Sequence, residues 1–321
     1  MDVKFIYSSE YDLIPTGLEF LHPFDGKKFS RAWELLFASE EFDAEAHWVK
    51  PEVAASDDYL ANIHTPEYLQ SLKKSSVIAQ IIEIGLVRFI PNSLLQSQII
   101  KPMRLACEGT RLATEYALKG ALAMNVGGGF HHAFTDHGEG FCVFADAALA
   151  IDYVRKSGLL KSDDTIVMID LDAHRGNGFQ AIFAKDPAVR IFDMFNFQVY
   201  PGMFEGDMDQ YPFMIPLKAH SSDEVYLGVL KEELPGFLAM DEPPKLAFYN
   251  AGSDILASDP LGNLGVSYDG VIERDKYVIE SLVSRGIPTV IMTSGGYTKQ
   301  SYQLIAALAQ TVIRKTGGRS G

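Results

Sequence analysis

A doubly wound α/β fold is predicted by three features. Short apolar runs recur along the chain, amphipathic helical stretches alternate with them, and glycine-rich polar segments follow directly on several of the runs. The runs at 3–7, 122–126, 165–169, 189–192, 246–249 and 289–292 are continuous rather than alternating, the pattern of strands covered on both faces of a parallel sheet. Helical periodicity fills 103–119, 144–156, 224–239, 268–284 and 301–315. Between 20 and 100 the periodicity is weaker and reads as a helical and loop elaboration. Within it Thr65-Pro66-Glu67 makes a good helix start, with a cap, a first-turn proline and an acid. Glu242 to Lys245 is a turn before a strand, and 316–321 reads as a frayed, flexible tail. No repeat, low-complexity tract or linker divides the chain, so 1–321 is expected to be one catalytic domain.

Composition narrows the function. With 321 residues the chain needs no disulfide or structural metal merely to bury a core. A formal charge of −14 argues against direct nucleic-acid binding and suits a cationic substrate. Two cysteines, Cys107 and Cys142, argue against a disulfide framework and for a reducing compartment. The first residues do not read as a signal peptide, and no apolar stretch approaches the ~20 residues of a membrane span. The expectation is a cytoplasmic enzyme.

The polar segments fall where ligands bind in an open parallel sheet, beyond the carboxyl ends of strands. Four predicted strands run into Gly127-Gly128-Gly129-Phe130-His131-His132, Asp170-Leu171-Asp172-Ala173-His174, Asn250-Ala251-Gly252-Ser253-Asp254 and Thr293-Ser294-Gly295-Gly296-Tyr297. Asp172 and His174 are two apart, so an extended segment points both the same way. With Asp254 they form a donor set suited to Zn²⁺ with an open position. The bland alternative is that the aspartates cap the following helix. Asp170 is expected on the other face, orienting a histidine, capping a helix or binding a monovalent cation. Tandem histidines beside a metal suit acid–base work on an attacking water, and a phenol at Tyr297 suits donation to a developing oxyanion. His22, His47, His64, His137 and His220 lack such surroundings and read as structural or exposed.

Taken together, these residues resemble the zinc-dependent histone deacetylase family. The stretches GLEFLHPFDGKK, NVGGGFHHAF, GFCVFADAALAI, IDLDAHRGNGFQ, VYPG, YNAGSDILASDPLG and TSGGY most resemble its class IV branch. The resemblance implies a three-layer α/β/α domain of the arginase–deacetylase type, with a mainly parallel sheet of about eight strands. It implies one Zn²⁺ per chain on Asp172, His174 and Asp254, with His131, His132, Tyr297 and Asp170 catalytic. It also implies a K⁺ site near Asp170, Asp172, His174 and Asp193. Gly140, Phe141, Tyr200 and Leu261 match the acyl-lysine tunnel and its rim. Asn177 matches the partner position of the second histidine, where class I members carry an aspartate; an amide should stabilise a His132 imidazolium less. Arg175 stands where many relatives have a histidine, and its role is unassigned. No arginine in 22–28 matches the one that class I members place near an internal exit channel.

The expected reaction is removal of an acetyl or longer fatty acyl group from lysine ε-amines of proteins. Acetylpolyamines or other small acylated amines are the alternative substrates. A di-manganese ureohydrolase wants further bridging carboxylates, yet Gly176-Asn177 and Leu256 stand where they would be needed. An inactive acyl-lysine-binding protein is disfavoured because both histidines, the tyrosine and all three ligands are present.

Overall fold

The computed structural model describes residues 1–13, 24–203 and 213–317. Continuous apolar runs become strands because a strand covered on both faces needs apolar side chains at every position. In chain order β1 (Asp2–Ile6) is followed by helix α1 (Lys28–Phe37), short α2 (Ala44–His47) and short β2 (Trp48–Val49). Next come α3 (Asp57–Leu60), α4 (Pro66–Ser71), α5 (Ser75–Ile81), α6 (Asn92–Leu95) and the long α7 (Lys101–Leu118). Strands and helices then alternate through β3 (Ala121–Asn125), α8 (Asp146–Lys156), β4 (Ile166–Asp170), α9 (Asn177–Phe183), β5 (Val189–Asn196) and β6 (Met214–Leu217). The last elements are α10 (Asp223–Leu238), β7 (Leu246–Asn250), α11 (Tyr268–Val283), β8 (Thr289–Met292) and α12 (Ser301–Gly317).

The strands form one sheet of eight in the order β2-β1-β3-β8-β7-β4-β5-β6. Every pairing is parallel. Side chains alternate between two cores. Phe5, Met124, Ile169, Tyr249 and Ile291 pack with α1, α10, α11 and α12, whereas Ile6, Ala123, Met168, Phe248 and Val290 pack with α7, α8 and α9. This is the expected three-layer α/β/α fold. A third apolar cluster joins α3 to α6 with the start of α7 and with Val143, Phe144 and Leu149.

The elaboration between 20 and 100 consists, where described, of short helices and loops with the two-residue β2 among them. Thr65 caps α4 as expected, its Oγ1 accepting from the Tyr68 N–H at 3.2 Å. β4 and β7 run one residue beyond their predicted ends, into Asp170 and Asn250, which face each other in register. Ladder hydrogen bonds are indifferent to side-chain polarity, so a polar residue can close a strand. β2 and β6 escape the sequence reading. β2 has two residues, and β6 contains Pro216, a residue tolerated on the edge where β6 lies. α7, α8 and α11 each run out into a left-handed glycine, Gly120, Gly158 and Gly286, the usual way to stop a helix ahead of a strand. The end of the tail, 318–321, and the start of GLEFLHPFDGKK lie outside the described residues.

Candidate active site

Because the strands are parallel, the ends of β3, β4, β7 and β8 open on one rim. The segment after β4 bends at once. It is an Asx-type turn, with the His174 N–H donating to Asp172 Oδ1 at 2.9 Å, and not the extended stretch expected. The turn still brings the pair together. Asp170 does not face away either: it closes β4 two residues before Asp172, a spacing that alternation places on one side, and its Oδ1 accepts from the Asp172 N–H at 3.3 Å.

Asp172, His174 and Asp254 are buried, with one possible ligand atom from each within 4.8 Å of the others. His174 Nδ1 lies 3.1 Å from Asp172 Oδ1 and 2.9 Å from Asp254 Oδ2. Neighbouring groups hold the carboxylates in place. Ser294 Oγ and the Gly295 N–H each donate to Asp172 Oδ2 at 2.8 Å, and the Ala173 N–H donates to Asp254 Oδ1 at 2.9 Å. Gly295 is required here, because a Cβ would fall 2.4 Å from Asp254 Oδ2 and 2.5 Å from Asp172 Oδ2. Two buried carboxylates around a single imidazole leave negative charge that a cation would balance. The donor set, two oxygens and a nitrogen, suits a divalent ion of the zinc type.

The tandem histidines follow the left-handed Gly128 and Gly129, whose loop is held by Asp146 accepting from the Gly129 and Phe130 N–H groups, each at 2.9 Å. Their rings are 4.1 Å apart but face different partners. His131 Nδ1 meets Asp170 Oδ2 at 2.8 Å, and His132 Nδ1 meets Asn177 Oδ1 at 2.7 Å. Burial alone would lower the pKa of His131, but Asp170 and Asp172 outweigh it and raise it to about 9. His132 has no such carboxylate in contact; burial and its two histidine neighbours push it well below the ordinary range, so its ring is neutral.

Tyr297 stands edge-on to His174, with ring centroids 6.1 Å apart. Burial, reinforced by Asp172 and Asp254, holds its phenol protonated and so able to donate. Its backbone is anchored by Asp259, which accepts from the Tyr297 N–H at 2.8 Å. Lys28 reaches the same loop from α1 and is fully buried. Its Nζ donates to Ser294 O at 2.8 Å and Gly296 O at 3.4 Å, and desolvation lowers its pKa to about 8. Neither Asp259 nor Lys28 was picked out by the sequence reading. The lysine lies in the stretch where an arginine was sought, and the signal was the retained cation.

Two cavities meet at His132, Gly140, Phe141 and Tyr297. The outer one is also lined by Tyr200, Leu261 and Glu83, so the expected tunnel residues do converge. Tyr200 stands edge-on to His132 at 5.1 Å, and Gly140 lets the loop approach, since a Cβ there would fall 2.5 Å from the His132 ring. The inner cavity is lined mainly by apolar side chains, among them Leu13, Phe24, Phe29, Met103 and Ala106. Asp193 lies beside Asp170 on the neighbouring strand. Its Oδ2 accepts from Gly176 N–H and Gln180 Nε2, while its buried Oδ1 has no hydrogen-bond partner among the described residues. Arg175 is buried beside the site. Cys107 and Cys142 are buried and unpaired with each other. His22 lies outside the described residues.

Known proteins are similar to this chain over most of its length. The histone deacetylase domain model matches residues 22–313. Histone deacetylase 2 of Arabidopsis thaliana is 39% identical over 315 residues, covering 98% of this chain and 79% of that protein. Histone deacetylase 8 of Xenopus laevis is 30% identical, covering 78% and 77%. The acetoin utilization protein AcuC of Bacillus subtilis is 29% identical, covering 92% and 78%. No helix among the described residues is long and apolar enough to cross a membrane. This chain is therefore a hydrolase of the histone deacetylase family.

Proposed function

We propose that this protein hydrolyses the amide of acylated lysine side chains, with Zn²⁺ held by Asp172, His174 and Asp254. The observation that carries the reading is the buried trio beside two histidines in different protonation environments. Bound there, Zn²⁺ would polarise the amide carbonyl and lower the pKa of an attacking water. The chain's own groups do the rest. Neutral His132 takes the water's proton and later passes it to the departing amine. His131, held by Asp170, supplies positive charge beside the reacting atoms. Tyr297 donates to the carbonyl oxygen as negative charge grows on it. Phe141 and Tyr200 wall the acyl-lysine stem, with Leu261 at the rim. The apolar lining of the inner cavity, with Leu13, Phe24 and Met103, supports longer fatty acyl groups as substrates.

The finer placements rest on particular features. Class IV membership rests on the motifs quoted above. A K⁺ ion beside Asp170 is supported by the unpartnered Asp193 Oδ1. A cytoplasmic location is supported by the cysteine usage, two buried cysteines not bonded to each other. The test is a panel of lysine peptides and polyamines bearing acetyl to long-chain acyl groups, assayed with and without chelator. Chelator-sensitive turnover of acyl-lysine peptides, rising with chain length, is expected. Turnover of acylated polyamines alone would replace the protein substrate, and chelator-insensitive binding without turnover would overturn the reading.

A further inference from the structure

Glu139 sits on the loop that carries Gly140 and Phe141, and it makes a contact the family resemblance does not assign. Its Oε1 accepts from Asn177 Nδ2 at 2.6 Å. The other end of the same amide, Asn177 Oδ1, faces His132 Nδ1 at 2.7 Å and accepts from the Gly178 N–H at 3.0 Å. Burial, reinforced by Glu139, raises the pKa of the Tyr200 phenol, as expected of a carboxylate close to it. A carboxylate thus stands one amide away from His132, on the side where a directly contacting aspartate would otherwise lie.

The amide matters because its two ends are unlike. An ionised carboxylate only accepts hydrogen bonds, so Glu139 draws the NH₂ end of Asn177 toward itself. The oxygen end is left facing His132. An imidazole meeting a carbonyl oxygen through Nδ1 must carry its proton there, which leaves the lone pair on Nε2. An inverted Asn177 would donate to Nδ1 and force the proton onto Nε2, where it blocks acceptance of a proton from water. We propose that Glu139 is a positioning residue for His132, selecting through Asn177 the tautomer that can act as a base. The proposal rests on the deacylase reading above. The Gly178 N–H favours the same amide orientation, so Glu139 reinforces an existing bias and its loss should leave partial activity.

The test compares Glu139→Ala with Glu139→Gln. Alanine removes the acceptor, whereas the glutamine amide still offers an oxygen to Asn177 Nδ2. Glu139→Ala should lower kcat by about tenfold, the lower end for losing a group that orients another. Glu139→Gln should restore most of kcat. Matching thermal melts ensure that folded proteins are compared. Glutamine as slow as alanine, or alanine at the wild-type kcat, overturns the proposal. A second measurement needs no turnover. Long-range ¹H–¹⁵N spectra of the metal-free protein, with His132 assigned by its loss in His132→Asn, read the tautomer directly. The wild type should show a protonated Nδ1 and an unprotonated Nε2, and Glu139→Ala should show a mixture. A wild-type ring protonated at Nε2, or a tautomer unchanged in Glu139→Ala, also overturns it. If no acyl substrate is turned over, the deacylase reading fails while the spectra still decide the role of Glu139.

Discussion

The rim at the ends of β3, β4, β7 and β8 and the helical segment from α3 to the start of α7 are built by opposite means. The rim gathers buried charge: His131, Asp170, Asp172, His174 and Asp254, from the ends of three strands, each lie within hydrogen-bond reach of another of the set. The helical segment gathers apolar side chains from short helices and ends in an apolar wall of the inner cavity. The difference assigns them different work. The rim sets what chemistry is possible, and the helical segment sets how much of a substrate fits beside it.

Substitutions on the two sides should therefore separate. The largest effect belongs to Asp254→Ala, which should lose bound zinc on dialysis and abolish turnover, as metal analysis and peptide assays would read. Retained zinc with activity would remove Asp254 from the ligand set. Next comes Tyr297→Phe, expected to keep zinc while kcat falls by roughly two to three orders of magnitude, the scale of one lost oxyanion donor. A wild-type rate would exclude the phenol. On the helical side, Met103→Trp should partly fill the inner cavity and lower kcat/KM for long acyl groups by roughly tenfold relative to acetyl, the scale of steric discrimination in an apolar pocket. Zinc content should not change, and a loss of zinc there would break the division of labour.

The remaining effect falls on stability and leaves turnover alone. His64, buried between α3 and α4, accepts from the Ala145 N–H through Nε2 at 3.1 Å and so ties the helical segment to the start of α8. Burial lowers its pKa from 6.5 to about 4. Between these values the unfolded chain binds the proton that the folded ring refuses, so stability falls as pH drops through this window. His64→Gln should flatten that slope by up to about 3 kcal/mol, read from denaturant unfolding at several pH values. An unchanged slope would refute the assignment.

The same contrast explains how much was legible in the sequence. A polar residue placed directly after an apolar run is a local signal, and it located Asp172, His174, Asp254, His131, His132 and Tyr297. The strand end at Asp170 and the bend at 172–174 were misjudged because pairing and turn geometry depend on neighbours distant in sequence. Glu139, Lys28 and Asp259 act through contacts across 38, 266 and 38 residues, which no spacing rule captures. The four-residue helices α2 and α3 are too short to show a period, and their caps at Asp43 and Ser56 were the only available marks.

Parallel strands also give the molecule a silent pole. Gly120, Gly158 and Gly286 lie at the far ends of β3, β4 and β8, away from the rim. A Cβ built at any of the three meets no heavy atom within 4 Å. The exposed neighbours Lys119, Ser157 and Arg285, rather than the left-handed glycines themselves, are the natural places for an immobilising tether or a reporter dye, because whatever is attached there points away from the mouth through which a peptide would enter.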